Sequence, residues 1–247
     1  MTSAAEYAAW YAGERGAWIG STEFAILRAL IGPGANESIL DVGCGTGYFT
    51  SCFAQCSDAL VVGLDPNTSW LHYAERHAPS RIAWLAARAE GLPFPNASFD
   101  ITVSITALCF IADQERALRE IVRVTRRRFA LGLLNRRSLL WRSKGRHGGT
   151  GGYRGAHWHT IGEVRALFSI RSRTCGSAQP YSSRAAAALL ASSKPAYQPA
   201  CRSGLFSLSS ETSRVQRRAA VAPTEERWAQ SVENTGSGSI EKCSRTS

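Results

Sequence analysis

Residues 39–50 read Ile-Leu-Asp-Val-Gly-Cys-Gly-Thr-Gly-Tyr-Phe-Thr, and three alternate glycines in so short a space constrain the fold more than any other stretch. Ile39, Leu40 and Val42 form the apolar end of a buried strand. Gly43, Gly45 and Gly47 permit a sharp turn and let a ligand approach the backbone with no Cβ in the way. Tyr48 to Cys56 then reads as a helix, so a ligand at the turn meets backbone N–H groups at a helix N-terminus.

A glycine triplet alone also suits the pyrophosphate loop of a dinucleotide oxidoreductase. Asp41 argues against that use, because an acid two positions before the first glycine lies under the ligand and repels a pyrophosphate. It suits a cofactor that carries an amino group and a sulfonium charge. The spacing Gly-x-Gly-x-Gly also lacks the last, spaced glycine of the dinucleotide fingerprint. One strand further on, Leu60 to Leu64 is apolar or small and ends at Asp65-Pro66-Asn67. A carboxylate there either accepts hydrogen bonds from ribose hydroxyls or caps the helix expected over Ser69 to His77.

Three motifs follow in order: Leu-Asp-Val-Gly-Cys-Gly-Thr-Gly, then Val-Val-Gly-Leu-Asp-Pro, then Ala-Glu-Gly-Leu-Pro-Phe-Pro-Asn-Ala-Ser-Phe-Asp at 89–100. Together they resemble class I S-adenosylmethionine-dependent methyltransferases, and within these the type 11 group that includes ubiquinone and menaquinone biosynthesis enzymes. The resemblance covers about residues 1–170. It implies that Asp41 and the loop Gly43, Cys44, Gly45 and Gly47 hold the methionine end of S-adenosylmethionine. It further implies that Asp65 and Pro66 sit at the ribose, that Ala89 and Glu90 flank the adenine, and that Thr106 to Leu108 line the methyl-donor cleft. Many relatives place Asp where this chain has Arg88, which leaves the adenine contact there to the backbone or to nothing.

The rest of residues 1–170 fits alternating strands and helices. Ile82 to Ala86 is a third strand, Ile101 to Ile105 a fourth and Phe129 to Leu134 a fifth. Asp113 to Val124 carries Ala117, Leu118, Ile121 and Val122 at helical spacing behind a capping Asp113. Thr160 to Phe168 opens with a capping-box pattern. Right-handed crossovers give an α/β, Rossmann-like doubly wound sheet of strand order 3-2-1-4-5, with the switch point between strands 1 and 4. Before strand five, where relatives carry Pro-Gly-Gly, stand Arg126, Arg127 and Arg128. These read as a solvated helix end whose cations suit the macrodipole, with an anionic partner as the other reading.

Residues 1–30 read as helical and are rich in aromatics, and the resemblance implies that they pack over the cofactor as a lid from which Tyr11 or Arg15 reaches it; ordinary packing on the sheet edge is at least an equal reading. His157 and His159 flank Trp158 after a run of glycines and are the candidates for removing an acceptor proton. The competing reading, in which His159 or Thr160 starts a helix and Trp158 anchors the loop, is the stronger. Seven cysteines without Cys-x-x-Cys spacing indicate neither disulfides nor a metal site. No apolar run reaches the roughly 20 residues of a membrane span, and no signal segment opens the chain, so a cytoplasmic protein is expected.

Composition changes near residue 170: Lys plus Arg against Asp plus Glu is 18 to 14 up to Ile170 and 11 to 5 from Arg171. The tail, residues 171–247, is basic and rich in Ser, Arg, Ala and Pro. It is expected to be disordered, leaving strands six and seven doubtful or missing. Gly204 to Glu211 can be encoded by codons that, read one nucleotide later, give Ala-Phe-Leu-Ala-Leu-Ala-Ala-Lys, and Cys175 to Gln179 by codons that give Ala-Val-Leu-Pro-Ser. A frameshifted C-terminus is therefore the reading of this tail. It lacks the aromatic and glycine patterning of an RNA-binding arm, so a nucleic-acid partner is not expected. The functional expectation is transfer of a methyl group from S-adenosylmethionine to an O, N or C atom of a small-molecule acceptor. An inactive or truncated cofactor-binding protein is the alternative, ahead of a dinucleotide oxidoreductase.

Overall fold

The computed structural model describes residues 3–56, 58, 60–169, 184–190 and 205–208. The elements are α1 (Ala4–Ala12), α2 (Glu14–Ile31), β1 (Ile39–Val42), α3 (Tyr48–Cys56), β2 (Val61–Asp65), α4 (Thr68–His77) and β3 (Ile82–Ala86). They continue with β4 (Phe99–Ile105), α5 (Gln114–Val124), β5 (Thr125–Leu134), α6 (Ile161–Ser169), β6 (Arg184–Leu190) and β7 (Leu205–Leu208). The strands form one sheet of order β3-β2-β1-β4-β5-β6-β7. Every pairing is parallel except that of β7 with β6.

The side-chain period of two divides each strand between two helical layers. In β1, Leu40 and Val42 join the core that packs α5 and α6, with Leu118, Ile121 and Leu167. Ile39 joins the opposite core with Leu27 and Ile31 of α2 and Phe49 and Phe53 of α3. In β5, Phe129, Leu131 and Leu133 face the first core and Ala130 the second. Asp41 has the parity of Ile39 and so points toward α3.

The expected order 3-2-1-4-5 is present, and the chain goes beyond it. Strands six and seven are not missing. β6 pairs with β5 from Arg128↔Arg184 to Leu134↔Leu190, and β7 pairs with β6 from Ala185↔Leu208 to Ala188↔Leu205. The run Arg-Ala-Ala-Ala-Ala-Leu-Leu has no alternating pattern and little strand propensity of its own. It pairs because β5 offers an unfilled edge, a long-range cause that no local pattern reports. Of the segments in the frameshift reading, Cys175 to Gln179 lies outside the described residues, as does the expected disordered tail apart from β6 and β7. Leu205 to Leu208 is β7 as written.

The arginine triplet is also relocated. Helix α5 ends at Val124, and β5 starts at Thr125, so Arg126, Arg127 and Arg128 lie on a strand. Arg126 pairs with Asp100 at 2.8 Å, and Arg127 pairs with Glu37 at 2.7 Å. Arg128 pairs with the other oxygen of Glu37. These acids, 26 and about 90 residues upstream, could not be matched to the triplet by spacing.

A second arginine organises the segment after β3. The Arg123 guanidinium donates to the carbonyls of Leu92 and Phe94 at 2.9 and 2.7 Å and to Asn96 at 3.1 Å, while held by Glu120 at 2.7 Å. Glu120 in turn accepts the Leu92 N–H at 2.8 Å. This side of α5 thereby fixes the chain leaving the Ala89-Glu90 position.

Truncation of the β5 core should therefore matter far more than loss of its surface charge. Leu131→Ala, at a fully buried site, is expected to cost about 2–5 kcal/mol. Arg127→Ala, whose side chain is 56% exposed, is expected to cost about 1 kcal/mol or less. Urea denaturation of the two variants measures the difference, and equal losses would contradict the layer assignment.

Candidate active site

The C-terminal ends of β1, β2 and β4 open into one cavity of about 810 Å³. Its floor is the glycine loop. Gly43, Gly45 and Gly47 have φ of 78°, 59° and 81°, the left-handed region that a Cβ disfavours. A Cβ at Gly43 would stand 2.1 Å from that of Ala107, and one at Gly47 would stand 2.5 Å from the Trp84 ring. The first glycine thus presses the loop onto the turn after β4, and the last lets α3 begin close to β3. The N–H groups of Gly43 and Cys44 both donate to the Leu64 carbonyl, at 2.7 and 3.0 Å, tying the loop to β2.

Asp41 lies beneath this loop and is 1% exposed. Its Oδ2 accepts the Thr50 hydroxyl at 2.6 Å, whereas buried Oδ1 has no hydrogen-bond partner. Burial pushes its carboxyl up to about 7, against the Thr50 hydrogen bond that lowers it and with nearby Asp65 adding to the rise. Asp65 accepts the Gly45 N–H on one oxygen at 2.9 Å and the Asn67 N–H on the other at 2.8 Å. A carboxylate has two lone pairs on each oxygen, so both retain acceptor capacity toward the cavity. Burial raises this carboxyl as well, opposed by its two backbone hydrogen bonds. The cap of α4 is Asn67, whose side chain accepts the Trp70 N–H at 3.3 Å; Asp65 is left to the loop and the cavity.

Pro66, Ala89 and Glu90 line the same cavity. Glu90 is held by Arg88 at 2.9 Å, the position where relatives were expected to differ. Thr106 and Ala107 line it too. Thr106 has φ 60°, an uncommon conformation for a non-glycine residue, held by donation of its N–H to Gly132 at 2.8 Å. Leu108, expected beside them, is instead fully buried in the core, because the chain enters a 3-10 turn at Ala107.

The N-terminal helices close the upper wall. Tyr11 stacks on Tyr48 with ring centres 4.0 Å apart, and Tyr7 stacks on Trp70 at 4.9 Å. Tyr11 thus reaches the cavity, and Arg15 is not among the residues that line it. Glu23 of α2, half-buried, faces the same space, and burial pushes its carboxyl up to about 7. Sequence reasoning missed Thr50, Trp70 and Glu23. The one available signal was spacing: Glu23 sits a helical turn beyond Gly20, where a Cβ would strike the Tyr48 hydroxyl.

The two histidines are elsewhere. The His159 ring is buried, with Nε2 2.9 Å from Gln114 Oε1 and Nδ1 3.9 Å from the Cys109 thiol. Burial, then the neighbouring His157, pull it down to about 4, so it is a neutral packing residue. His157 is exposed, 3.7 Å from Glu163, and lines a separate pocket with Arg136, Trp141 and Trp158. Thr160, bonded reciprocally to Glu163, caps α6 as expected. Among the described residues there is no cluster of acids, histidines and cysteines able to hold a metal.

The family model described as a methyltransferase domain matches residues 40–129, from β1 into β5. Over these residues the chain is similar to methyltransferase domains. It is 33% identical over 193 residues to an uncharacterized protein of Mycobacterium tuberculosis, covering 72% of this chain and 62% of that one. An O-methyltransferase of Penicillium expansum is 35% identical over 101 residues, 39% of this chain and 37% of its own. The chain thus spans less than two thirds of the length of these relatives. Among solved structures, a methyltransferase of Thermotoga maritima described as a possible histamine N-methyltransferase superposes with a TM-score of 0.56 at 24% identity. That superposition covers 67% of this chain and 75% of that one, and it supports the fold. No helix among the described residues is long and apolar enough to cross a membrane.

The buried carboxyl of Asp41 gives the protein a measurable pH signature. Folded Asp41 keeps its proton to about pH 7, whereas an unfolded one releases it near pH 4. In that window the folded chain binds more protons, so its stability falls as pH rises. Asp41→Asn is expected to lose this component of the slope, while the contributions of Glu23 and His159 remain in both proteins. Urea midpoints at about pH 5 and about pH 8 compare the two, and parallel pH dependences would remove Asp41 as the source.

Proposed function

We propose that this methyltransferase transfers the methyl group of S-adenosylmethionine to an O, N or C atom of a small-molecule acceptor bound in the same cavity. The observation that carries this reading is the unpartnered, buried Oδ1 of Asp41 beneath three left-handed glycines. An anionic floor attracts an ammonium or sulfonium and repels a pyrophosphate, which sets this site apart from a dinucleotide loop. In this proposal Gly43, Cys44, Gly45 and Gly47 present the backbone to the methionine end. Asp65 and Pro66 take the ribose, Ala89 and Glu90 the adenine, and Thr106 borders the methyl group.

The bound cofactor supplies an already activated leaving group, so the protein's contribution is chiefly alignment and exclusion of water. The stacked Tyr11 and Tyr48 and the lid helices serve both ends. Glu23, and neither His157 nor His159, is the residue on the acceptor wall suited to take the proton that an O–H or N–H acceptor loses, its carboxyl being raised toward neutral pH. The naming of one relative as an O-methyltransferase makes oxygen the first acceptor atom to test. We further propose a cytoplasmic protein, in keeping with free cysteines at 44, 52, 56 and 109, acting on a small molecule in preference to nucleic acid.

Calorimetry with S-adenosylmethionine, S-adenosylhomocysteine and NAD tests the cofactor. Binding of the first two and not the third is expected; tight NAD binding alone would overturn the proposal. Asp65→Ala should weaken cofactor binding by about 1.5–3 kcal/mol, and unchanged affinity would remove Asp65 from the site. Glu23→Gln should leave affinity for S-adenosylhomocysteine unchanged while lowering labelled-methyl turnover about 10²–10⁴-fold. Equal turnover by the variant would dismiss Glu23 as the base.

A further inference from the structure

The loop between β5 and α6 carries a charge pattern found nowhere else in the described protein. From residue 121 to residue 162 there is no Asp or Glu, yet Arg136, Arg137, Arg142, Lys144, Arg146 and Arg154 all fall in this loop. All six are exposed. Several cations elsewhere find acids, as Arg126 does with Asp100, Arg127 with Glu37 and Arg123 with Glu120. Among the described residues no carboxylate lies within ion-pair distance of any of the six loop cations. Unneutralised like charges on one loop repel one another, and an arrangement of that kind favours the arrival of an anion.

The loop also sits where such an anion would matter. Lys144 and Tyr153 line the main cavity that Asp41 and Asp65 also line. Two residues on from Lys144, Arg146 joins Arg136 in the separate pocket that His157 and Trp158 also line. There the two guanidinium carbons lie 5.6 and 5.9 Å from the Trp141 ring centre. Stacking on the indole holds a guanidinium plane while leaving its edge N–H groups to bind. The basic loop therefore reaches the main cavity through Lys144 and presents Arg136 and Arg146 in the separate pocket beside Trp141.

We propose that the β5–α6 loop is an anion-recognition rim, and that the acceptor of this methyltransferase carries a phosphate or carboxylate held by Lys144, Arg146 and Arg136 while its methyl-accepting atom points to the cofactor. The proposal rests on the methyl-transfer reading given above and adds the chemical class of the acceptor. The same rim accounts for placement: a donor cation at one end of the cavity and an acceptor anion at the other fix the orientation of the acceptor before any specific contact forms.

The test uses the full chain saturated with S-adenosylhomocysteine and three probes of one shape: 1-naphthyl phosphate, 1-naphthoate and 1-naphthol. We expect at least one anion to bind about tenfold or more tightly than the neutral naphthol. We also expect that advantage to shrink in high salt and to be lost in the Lys144→Gln, Arg146→Gln double variant with affinity for S-adenosylhomocysteine unchanged. The phosphate and carboxylate arms decide which group the rim prefers. Naphthol binding as tightly as both anions, or a double variant that keeps the discrimination, would overturn the proposal alone. A short single-stranded RNA that binds more tightly than every probe and loses affinity in the double variant would overturn it in favour of a nucleic-acid surface. Failure of S-adenosylhomocysteine to bind the wild-type chain would instead overturn the methyl-transfer reading on which the proposal stands.

Discussion

Everything in the site depends on one buried carboxylate. Asp41 is on an interior strand of the sheet, with β2 and β4 hydrogen-bonded on either side, so it cannot turn toward water without breaking the sheet. A buried charge that lacks full pairing is costly. Thr50 satisfies one oxygen, and the other stays open beneath the glycine loop. A position kept acidic at that cost, when Asn or a small apolar residue would fit the strand, makes sense if a cation occupies the space above it. The glycines are the second half of the same arrangement, since a Cβ at Gly43 or Gly47 would collide with Ala107 or Trp84 and push the loop away from the acid.

The other positions are held by longer chains of contact. Asp65 binds the Gly45 N–H, so the end of β2 and the loop after β1 move as one unit. The segment that carries Ala89 and Glu90 has no regular structure, and Arg123 supplies what a strand would otherwise give it by bonding two backbone carbonyls and one side-chain oxygen. Loss of that guanidinium would free the Ala89–Glu90 side of the cavity while leaving both hydrophobic cores in place. The site is thus built from a rigid sheet edge and one arginine bracket.

The parts legible in the sequence are those whose cause is local. Helix α3 and strand β3 have the bounds that periodicity and the glycine turn set, and the caps of α5 and α6 at Asp113 and Thr160 announce themselves within four residues. Asp65 was ambiguous because ribose binding and capping use the same chemistry, and only the coordinates show Asn67 doing the capping. The start of β5 was misread because Arg126 to Arg128 look solvated until Asp100 and Glu37 are brought beside them by folding. β6 was missed for the reverse reason, an alanine run with no signature that becomes a strand by filling an edge. The histidines were weak catalytic candidates beside a stronger packing reading; His159 is buried against Gln114, and no pattern of spacing shows that contact. Glu23 and the stacked Tyr11 belong to helices whose position over the sheet is a tertiary fact.

The charge distribution of the cavity bears on turnover as well as on recognition. Under the proposed chemistry Asp41 faces a cationic donor before transfer, and afterwards the sulfonium has become a neutral thioether. One favourable interaction with the acidic floor is thereby lost, and in a site of low dielectric such a loss counts for more than it would in water. The floor is consequently matched to the charged donor and weakly matched to the spent one, which favours exchange of product for fresh cofactor. The cations of the rim respond in the opposite sense only if methylation removes charge from the acceptor. An acceptor methylated on its anionic group would leave both ends of the cavity at once, whereas one held by an anion and methylated at a distant hydroxyl would stay bound after transfer.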